Sequence, residues 1–255
     1  MFNIKGKVAI ITGGSKGIGR SSAILLAQNG AIVVIASRNK YGDLDETAAE
    51  IRDLGGEVLP VQAHVGSKSD IDNLVNATLQ KYGKIDILIN NAAINPILTE
   101  LVNLPEKAWD KIMDVNLKGC YLLSQLAARE MIKQKSGTII NVSSDGGIVP
   151  APNLLAYCIS KAGLIMLGQG LAKELGKYNI RVNNVVPGLI ETRTAEALWQ
   201  DPEFSRRRLE RTCLGRTGTP EEVASVILFL ASDASSYMTG ATIPVEAGTL
   251  VSTMP

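Results

Sequence analysis

Tyr157 and Lys161 stand four residues apart in the run Tyr157-Cys158-Ile159-Ser160-Lys161. On a helix that spacing puts both side chains on one face, one turn apart. A free phenol has a pKa of about 10 and is a poor base at neutral pH. A neighbouring ammonium favours the phenolate and lowers that pKa. The pair can then pass a proton to a carbonyl oxygen or take one from an alcohol. Ser144 closes the strand expected before this helix, where its hydroxyl can hold the same oxygen beside Tyr157.

A second group of residues is built for phosphate. Thr12-Gly13-Gly14-Ser15-Lys16-Gly17-Ile18-Gly19 follows the first apolar run directly and opens a helical pattern. Gly13 permits a tight turn, Gly17 lets the backbone approach a pyrophosphate at the positive helix N-terminus, and Gly19 allows close helix–strand packing. Three glycines alone are a weak signal; a strand before and a helix after make it a dinucleotide fingerprint. An NAD site places an acid at the end of the second strand for the ribose 2′-hydroxyl. This chain has Ser37-Arg38-Asn39 there. Arg38 can grip a 2′-phosphate through its fork of donors and Lys16 can add a point charge, so NADP(H) is expected over NAD(H). Asp43 and Asp45 read as the first turn of the next helix.

Alternating elements must carry these groups. Short β-branched runs occur at Val8–Thr12, Ile32–Ala36, Val58–Gln62, Ile85–Ile89, Thr138–Val142, Ile180–Val186 and Thr242–Val245. They are apolar nearly throughout, as strands of a parallel sheet buried on both faces are. Between them, Ile18–Gln28, Leu44–Leu54, Ser69–Lys81, Glu106–Lys133, Ala156–Lys177 and Pro220–Ala231 space apolar residues at helical intervals. Ser69 and Pro220 read as helix starts; Gly30, Gly55 and Gly83 read as stops. The alternation predicts right-handed βαβ units in one doubly wound Rossmann-type α/β domain over residues 1–255, with about seven parallel strands and helices on both faces. The polar, arginine-rich stretch 190–218 breaks the rhythm and is expected to be a substrate lid.

Together these motifs resemble the classical short-chain dehydrogenase/reductase family over essentially the whole chain. Asn90-Asn91-Ala92, followed by Ala93, is similar to its motif after the fourth strand. Asn116 is similar to its active-site asparagine, and Ser144, Tyr157 and Lys161 to its catalytic serine, tyrosine and lysine. Pro187-Gly188-Leu189-Ile190-Glu191-Thr192 is similar to the segment bordering the nicotinamide. The resemblance implies that Ile190 meets the carboxamide through its backbone, and that Thr192 meets a phosphate or the carboxamide. It also implies that Asn116 holds a water linking Lys161 to solvent, and that the long helices pair in a homotetramer. The chain departs from the family at His64-Val65, where Asp-Val is usual beside the adenine, at Ala93, and at Ala247.

The expected reaction is reversible hydride transfer between a nicotinamide cofactor and a small-molecule ketone or secondary alcohol. The pattern resembles 3-oxoacyl-acyl-carrier-protein reductases, while Asn91-Ala92-Ala93-Ile94-Asn95-Pro96 resembles NADPH carbonyl reductases of retinal and aromatic ketones. Lys135 matches one of two basic carrier-docking positions and Tyr178 replaces the other. Asn95, Leu154, Leu155, Leu189, Leu198 and Trp199 are candidates to flank the substrate. A sugar, polyol or steroid dehydrogenase is the alternative within the family. A catalytically silent partner subunit is the alternative of another class; such a protein would be expected to have lost one of the four catalytic residues, and all four are present.

Composition excludes other classes. Lys plus Arg total 26 against 25 for Asp plus Glu, so no basic footprint for nucleic acid exists. Cys120, Cys158 and Cys213 form no CxxC pair and His64 is the sole histidine, which leaves no metal site and no histidine triad. Unpaired cysteines fit a reducing cytoplasm. No stretch reads as long and apolar enough to span a bilayer. Trp109 is expected to pack a helix, Arg206 to Arg208 and Arg211 to lie on a solvated face, and Cys158 to point away from Tyr157 as an inert thiol.

Overall fold

The computed structural model describes residues 2–39, 43–192, 206 and 209–252. Strands β1 (Val8–Thr12), β2 (Ile32–Ser37), β3 (Val58–Gln62), β4 (Ile87–Asn90), β5 (Gly137–Val142), β6 (Ile180–Pro187) and β7 (Thr242–Val245) form one parallel sheet. Its order is β3-β2-β1-β4-β5-β6-β7. Ile10 pairs with Val34 on one side and Leu88 on the other, so β1 and β4 meet where the strand order reverses. That reversal opens a crevice at the strands' carboxyl ends.

Alternate residues of each strand feed two cores. Ala9, Ile11, Val33 and Ile35 pack against α1 (Gly17–Gln28), α2 (Asp43–Asp53) and α7 (Pro220–Ala231). Val8, Ile10, Val34 and Ala36 pack against α3 (Lys68–Tyr82), α5 (Gly119–Gln134) and α6 (Leu155–Leu175). Both faces of the sheet are therefore dry, which is why its strands read as unbroken apolar runs.

The ends differ from the sequence reading for local reasons. Helix α3 starts at Lys68 because Ser67, not Ser69, caps it by accepting from the Asp70 N–H. Gly83 ends it with φ +71, a left-handed position that suits glycine. Pro220 is the first residue of α7, behind a Thr219/Glu222 capping box. Ile85 lies before β4, its N–H taken by the Gln134 side chain.

The expected single helix Glu106–Lys133 is three pieces: α4 (Glu106–Met113), a π turn over Asp114–Lys118, and α5. The wider turn bonds the Gly119 N–H to the Asp114 carbonyl. Gly119 packs so tightly on the β3 exit that a Cβ there would stand 2.2 Å from the Val65 carbonyl oxygen. Single π turns of this kind are frequent at functional sites, and this one carries Asn116.

A buried amide ladder crosses the sheet. Asn90 donates to the Asn141 carbonyl oxygen at 2.9 Å, and Asn141 donates to that of Asn184 at 3.1 Å. The three are register partners on β4, β5 and β6. Helix α6 docks over this ladder at Gly168, where a Cβ would meet the Asn184 side-chain oxygen at 2.1 Å. The run Leu155–Tyr178 is long and apolar enough to cross a membrane by length and composition, contrary to the sequence expectation. Here Ala172 and Leu175 are buried against the sheet, as in a core helix.

Trp109 is half-buried on α4, and Arg211 is exposed. Arg206 pairs with Glu210 at 2.8 Å. Residues 193–205, 207 and 208, including Leu198 and Trp199 of the expected lid, lie outside the described residues.

Candidate active site

A cleft of about 600 Å³ runs along the carboxyl ends of the strands. It brings together Gly13, Ser15, Lys16, Gly17, Ile18, Ser37, Arg38, Asn39, His64, Val65, Asn91, Ala92 and Ala93 with Ser144, Tyr157 and Lys161. Asn95, Leu154, Pro187, Gly188, Leu189, Ile190 and Thr192 line it as well. Gly19 and Asn116 stand behind the wall rather than in it. Leu155 lines a small separate pocket instead.

The glycine turn is shaped for close approach. Gly13 and Gly17 hold φ of +67 and +49. A Cβ at Gly17 would stand 2.9 Å from Thr192 Cγ2, so the turn and the Pro187–Thr192 segment face each other across a narrow gap. A Cβ at Gly19 would meet the Gly13 carbonyl oxygen at 2.2 Å, which is the packing role expected of it. Lys16 sits at the N-cap of α1 with extended backbone and no side-chain cap. The first N–H groups of α1 thus open uncapped on the cleft, as a pyrophosphate requires. Thr12 ties the loop to β4: its hydroxyl accepts from the Asn91 and Ala92 N–H groups, each at 3.0 Å. Asn91 returns a bond to the Thr12 carbonyl at 2.9 Å.

At the other end of the cofactor half, Arg38 is exposed and forms no ion pair among the described residues. Lys16 does form one, with Asp43 at 2.6 Å. The sequence reading placed Asp43 correctly in the first turn of α2 but missed that it lines the cleft. No local signal marks it; only the folding of α2 beside the loop brings the two together. His64 takes the usual acid's place at the β3 exit. Its Nδ1 accepts from the Gly66 N–H at 2.9 Å, and its own N–H donates to Asp70 Oδ2 at 2.9 Å.

The proton-transfer end is held by β5 and α6. Lys161 Nζ donates to the Val142 carbonyl at 2.8 Å, and Ser143 Oγ donates to the Lys161 carbonyl at 2.8 Å. Burial pushes the Lys161 ammonium down to about 8. The Tyr157 phenol is pushed up to about 12, first by burial; the Ser144 hydroxyl offsets part of this and the Asp145 carboxylate adds to it. The expectation that Lys161 depresses the phenol is not met in this state, because its Nζ lies 5.7 Å from the Tyr157 ring centre and is directed at Val142.

Asn116 is fully buried on the π turn. Its side chain accepts from the Ile94 N–H at 2.8 Å and donates to the Ile94 carbonyl at 2.9 Å and to Ser160 Oγ at 3.1 Å. It therefore clamps the Ala92–Asn95 wall to α6. Cys158 departs from expectation: it lines the cleft beside Tyr157, its sulfur accepting from the Ala151 N–H at 3.5 Å. Ile190 is buried and bridges to Gly218 through the Leu189 carbonyl and the Glu191 N–H, leaving its own backbone groups out of that bridge.

Such a site combines an uncapped helix N-terminus, a narrow glycine turn and a half-buried pair of hydroxyls, Ser144 and Tyr157, in one cleft. Comparison with known proteins agrees with that reading. Residues 13–249 match a family model described as enoyl-(acyl carrier protein) reductase. The chain is 45% identical over 251 residues to the 3-oxoacyl-[acyl-carrier-protein] reductase FabG of Thermotoga maritima, covering 98% of this chain and 100% of that protein. It is 41% identical to dehydrogenase/reductase SDR family member 4 of Bos taurus, covering 96% of this chain and 87% of that protein. Among solved structures, a putative short-chain alcohol dehydrogenase from Sinorhizobium meliloti superposes with a TM-score of 0.94 at 34% identity, covering 98% and 99% of the two chains. Levodione reductase superposes at 0.93 with 30% identity, covering 97% and 98%. Fold, cleft and relatives converge: the chain belongs to the classical short-chain dehydrogenase/reductase family of nicotinamide-dependent oxidoreductases.

Proposed function

We propose that this protein is an NADP(H)-dependent reductase of ketones, acting on a 3-oxoacyl thioester or a related carbonyl compound. The observation that carries the reading is the meeting of Ser144, Tyr157 and Lys161 with the glycine turn and Arg38, which forms no ion pair among the described residues, in one cleft. When bound in this cleft, a nicotinamide cofactor would supply hydride chemistry for the carbonyl carbon. Ser144 holds the carbonyl oxygen beside Tyr157. Tyr157 gives its phenolic proton to that oxygen as negative charge develops there, and solvent returns a proton to the phenolate. In the reverse direction the phenolate takes the alcohol's proton. Lys161 binds the cofactor ribose, and Asn116 holds the wall of the cleft against α6. Arg38 takes the 2′-phosphate.

Apolar Leu154 and Leu189 with polar Asn95 line the substrate half of the cleft, a mixture that fits a short acyl chain better than a polyol. The similarity to FabG supports a thioester substrate. The same reading takes residues 1–255 as one catalytic unit with a lid over 190–218, located in the cytoplasm. It also takes a homotetramer, for which Tyr121, Ile159 and Met166 supply exposed apolar surface on α5 and α6; light scattering measures that assembly. The deciding experiment is the rate of NADPH oxidation with acetoacetyl-coenzyme A, with NADH run beside it. A rate selective for NADPH is expected. Absence of a rate with both cofactors would overturn the thioester assignment.

A further inference from the structure

Ser144 and Tyr157 lie on the β5 side of β1, whereas β2 and β3 lie on the other side. The cleft continues past the glycine turn to that far end, over Arg38 and His64. A dinucleotide carries a ring system on each side of its phosphates. With the phosphates at the open N-terminus of α1 and one ring at Tyr157, the second ring falls to the far end. Its wall fits a flat heterocycle, because Ala36, Ala63 and Val65 line it as buried apolar residues. His64 stands among them, half-buried. Its backbone is pinned: the N–H donates to Asp70 Oδ2 at 2.9 Å, and the carbonyl accepts from the Ser67 N–H at 2.8 Å. One edge of its ring is pinned too. Nδ1 accepts from the Gly66 N–H at 2.9 Å, and a Cβ on residue 66 would stand 2.7 Å from His64 Cε1, so the glycine permits the contact. An imidazole whose Nδ1 accepts carries its proton on Nε2. That Nε2 has no partner among the described residues.

We propose that His64 determines how the second base of the cofactor is selected: it donates from Nε2 to an acceptor on the purine, so the 6-amino group of adenine is not required for binding. The inference rests on the reading of the cleft as a dinucleotide site. A carboxylate at this position would offer only acceptors and would select the amino group. The imidazole, with Nδ1 already taken by Gly66, offers the opposite. Adenine meets a donor with a ring nitrogen, and a 6-oxo purine meets it with a ring nitrogen or with the oxygen. Neither nearby carboxylate makes up for the missing acceptor. Asp43 pairs with Lys16 at 2.6 Å. Asp70 takes the His64 N–H and the Ser67 hydroxyl, and it does not line the cleft.

The test is the ratio of affinities for NADPH and for its 6-oxo analogue, reduced nicotinamide hypoxanthine dinucleotide phosphate. Nicotinamide fluorescence reads binding of both, and no turnover is needed. In the wild type the two should bind within about threefold of each other. His64→Asp introduces an acceptor and should move the ratio towards NADPH by about tenfold, through a charge-assisted bond to the amino group. The ratio cancels the repulsion between the new carboxylate and the phosphates, which both ligands carry. His64→Phe keeps a flat ring but loses the donor, and should weaken both ligands several-fold alike. A wild-type preference for NADPH of about tenfold or more, a ratio unmoved in His64→Asp, or unchanged affinities in His64→Phe would overturn the proposal. Should His64→Asp fail to fold, the wild-type ratio and His64→Phe decide. Binding of NADH without binding of NADPH would overturn the 2′-phosphate reading instead, and the same ratio, taken with NADH and its own 6-oxo analogue, then decides the role of His64.

Discussion

Lys161 spends its ammonium on the carbonyl of Val142, 2.8 Å away, rather than on Tyr157. That bond joins the catalytic helix to the last residue of β5, two positions before Ser144, so the backbone carrying the serine and the helix carrying the tyrosine are braced by the lysine itself. The brace requires a cation in a buried site, and burial lowers its affinity for the proton.

This buried lysine makes stability depend on pH in a specific direction. Its pKa is about 8 in the folded protein and about 10.4 in an unfolded chain. Between those values the unfolded state holds more protons, so the unfolding free energy rises with pH across that window, by on the order of 3 kcal/mol from this group. Below pH 8 both states carry the charge and the contribution is flat. Tyr157 acts oppositely higher up: its raised pKa gives stability that is lost as pH climbs from about 10 towards 12. Urea unfolding at pH 7.5 and 9.5 should show the rise in the wild type and not in Lys161→Met. Equal changes in both proteins would contradict the assignment.

Tyr157→Phe removes one hydroxyl and leaves the cleft wall in place. Turnover is expected to fall by roughly 10²–10⁴-fold, the range of general acid–base catalysis. Binding of NADPH, followed by fluorescence, should stay within about threefold. Retention of a tenth of the wild-type rate would remove Tyr157 from the proton-transfer step.

Cofactor choice turns on two cations with different partners. Arg38 is unpaired among the described residues, whereas Lys16 is held by Asp43. Arg38→Ala should weaken NADPH about tenfold, equivalent to about 1.4 kcal/mol, and leave NADH unchanged. Asp43→Asn should act the other way, freeing Lys16 and tightening NADPH by a few fold, since the pair is partly exposed and screened. Calorimetric titration with both cofactors reads each effect. An equal loss of NADPH and NADH affinity in Arg38→Ala would mean that no 2′-phosphate is held there.

Helix α6 reaches its position only because residue 168 has no side chain. A Cβ there would lie 2.1 Å from the Asn184 side-chain oxygen and 2.8 Å from the Asn141 side-chain nitrogen. Gly168→Ala should cost about 1–3 kcal/mol, as overpacking does, and lower activity by displacing Tyr157 and Lys161. Gly170→Ala, two residues on with nothing within 4 Å, is the control. Thermal unfolding of the two variants should differ by several degrees; equal melting temperatures would show that the ladder yields without strain.

Much of the site was legible because its residues act through spacing along one element. Tyr157 and Lys161 share a face of α6 by helical repeat, and the glycine turn is a continuous run between β1 and α1. Residues that act through contacts distant in sequence were not legible. Asp43 reaches Lys16 across 27 positions. Cys158 was expected to point away because a helical wheel shows only angle, not the loop at Ala151 that closes over it.

The sequence by itself determined the sheet, its parallel sense and the two groups of functional residues, because burial on both faces and helical periodicity are written into local apolar patterns. Only the tertiary structure decided that a continuous helical pattern breaks into a π turn at Asn116, that Lys161 bonds Val142 rather than the phenol, and that burial pushes the Tyr157 phenol up. Each depends on close approach and dehydration between distant segments: Gly119 against Val65 and α6 against β5. Periodicity records which face of an element is buried. It does not record what that face meets, and the pKa values of buried groups are set by what they meet.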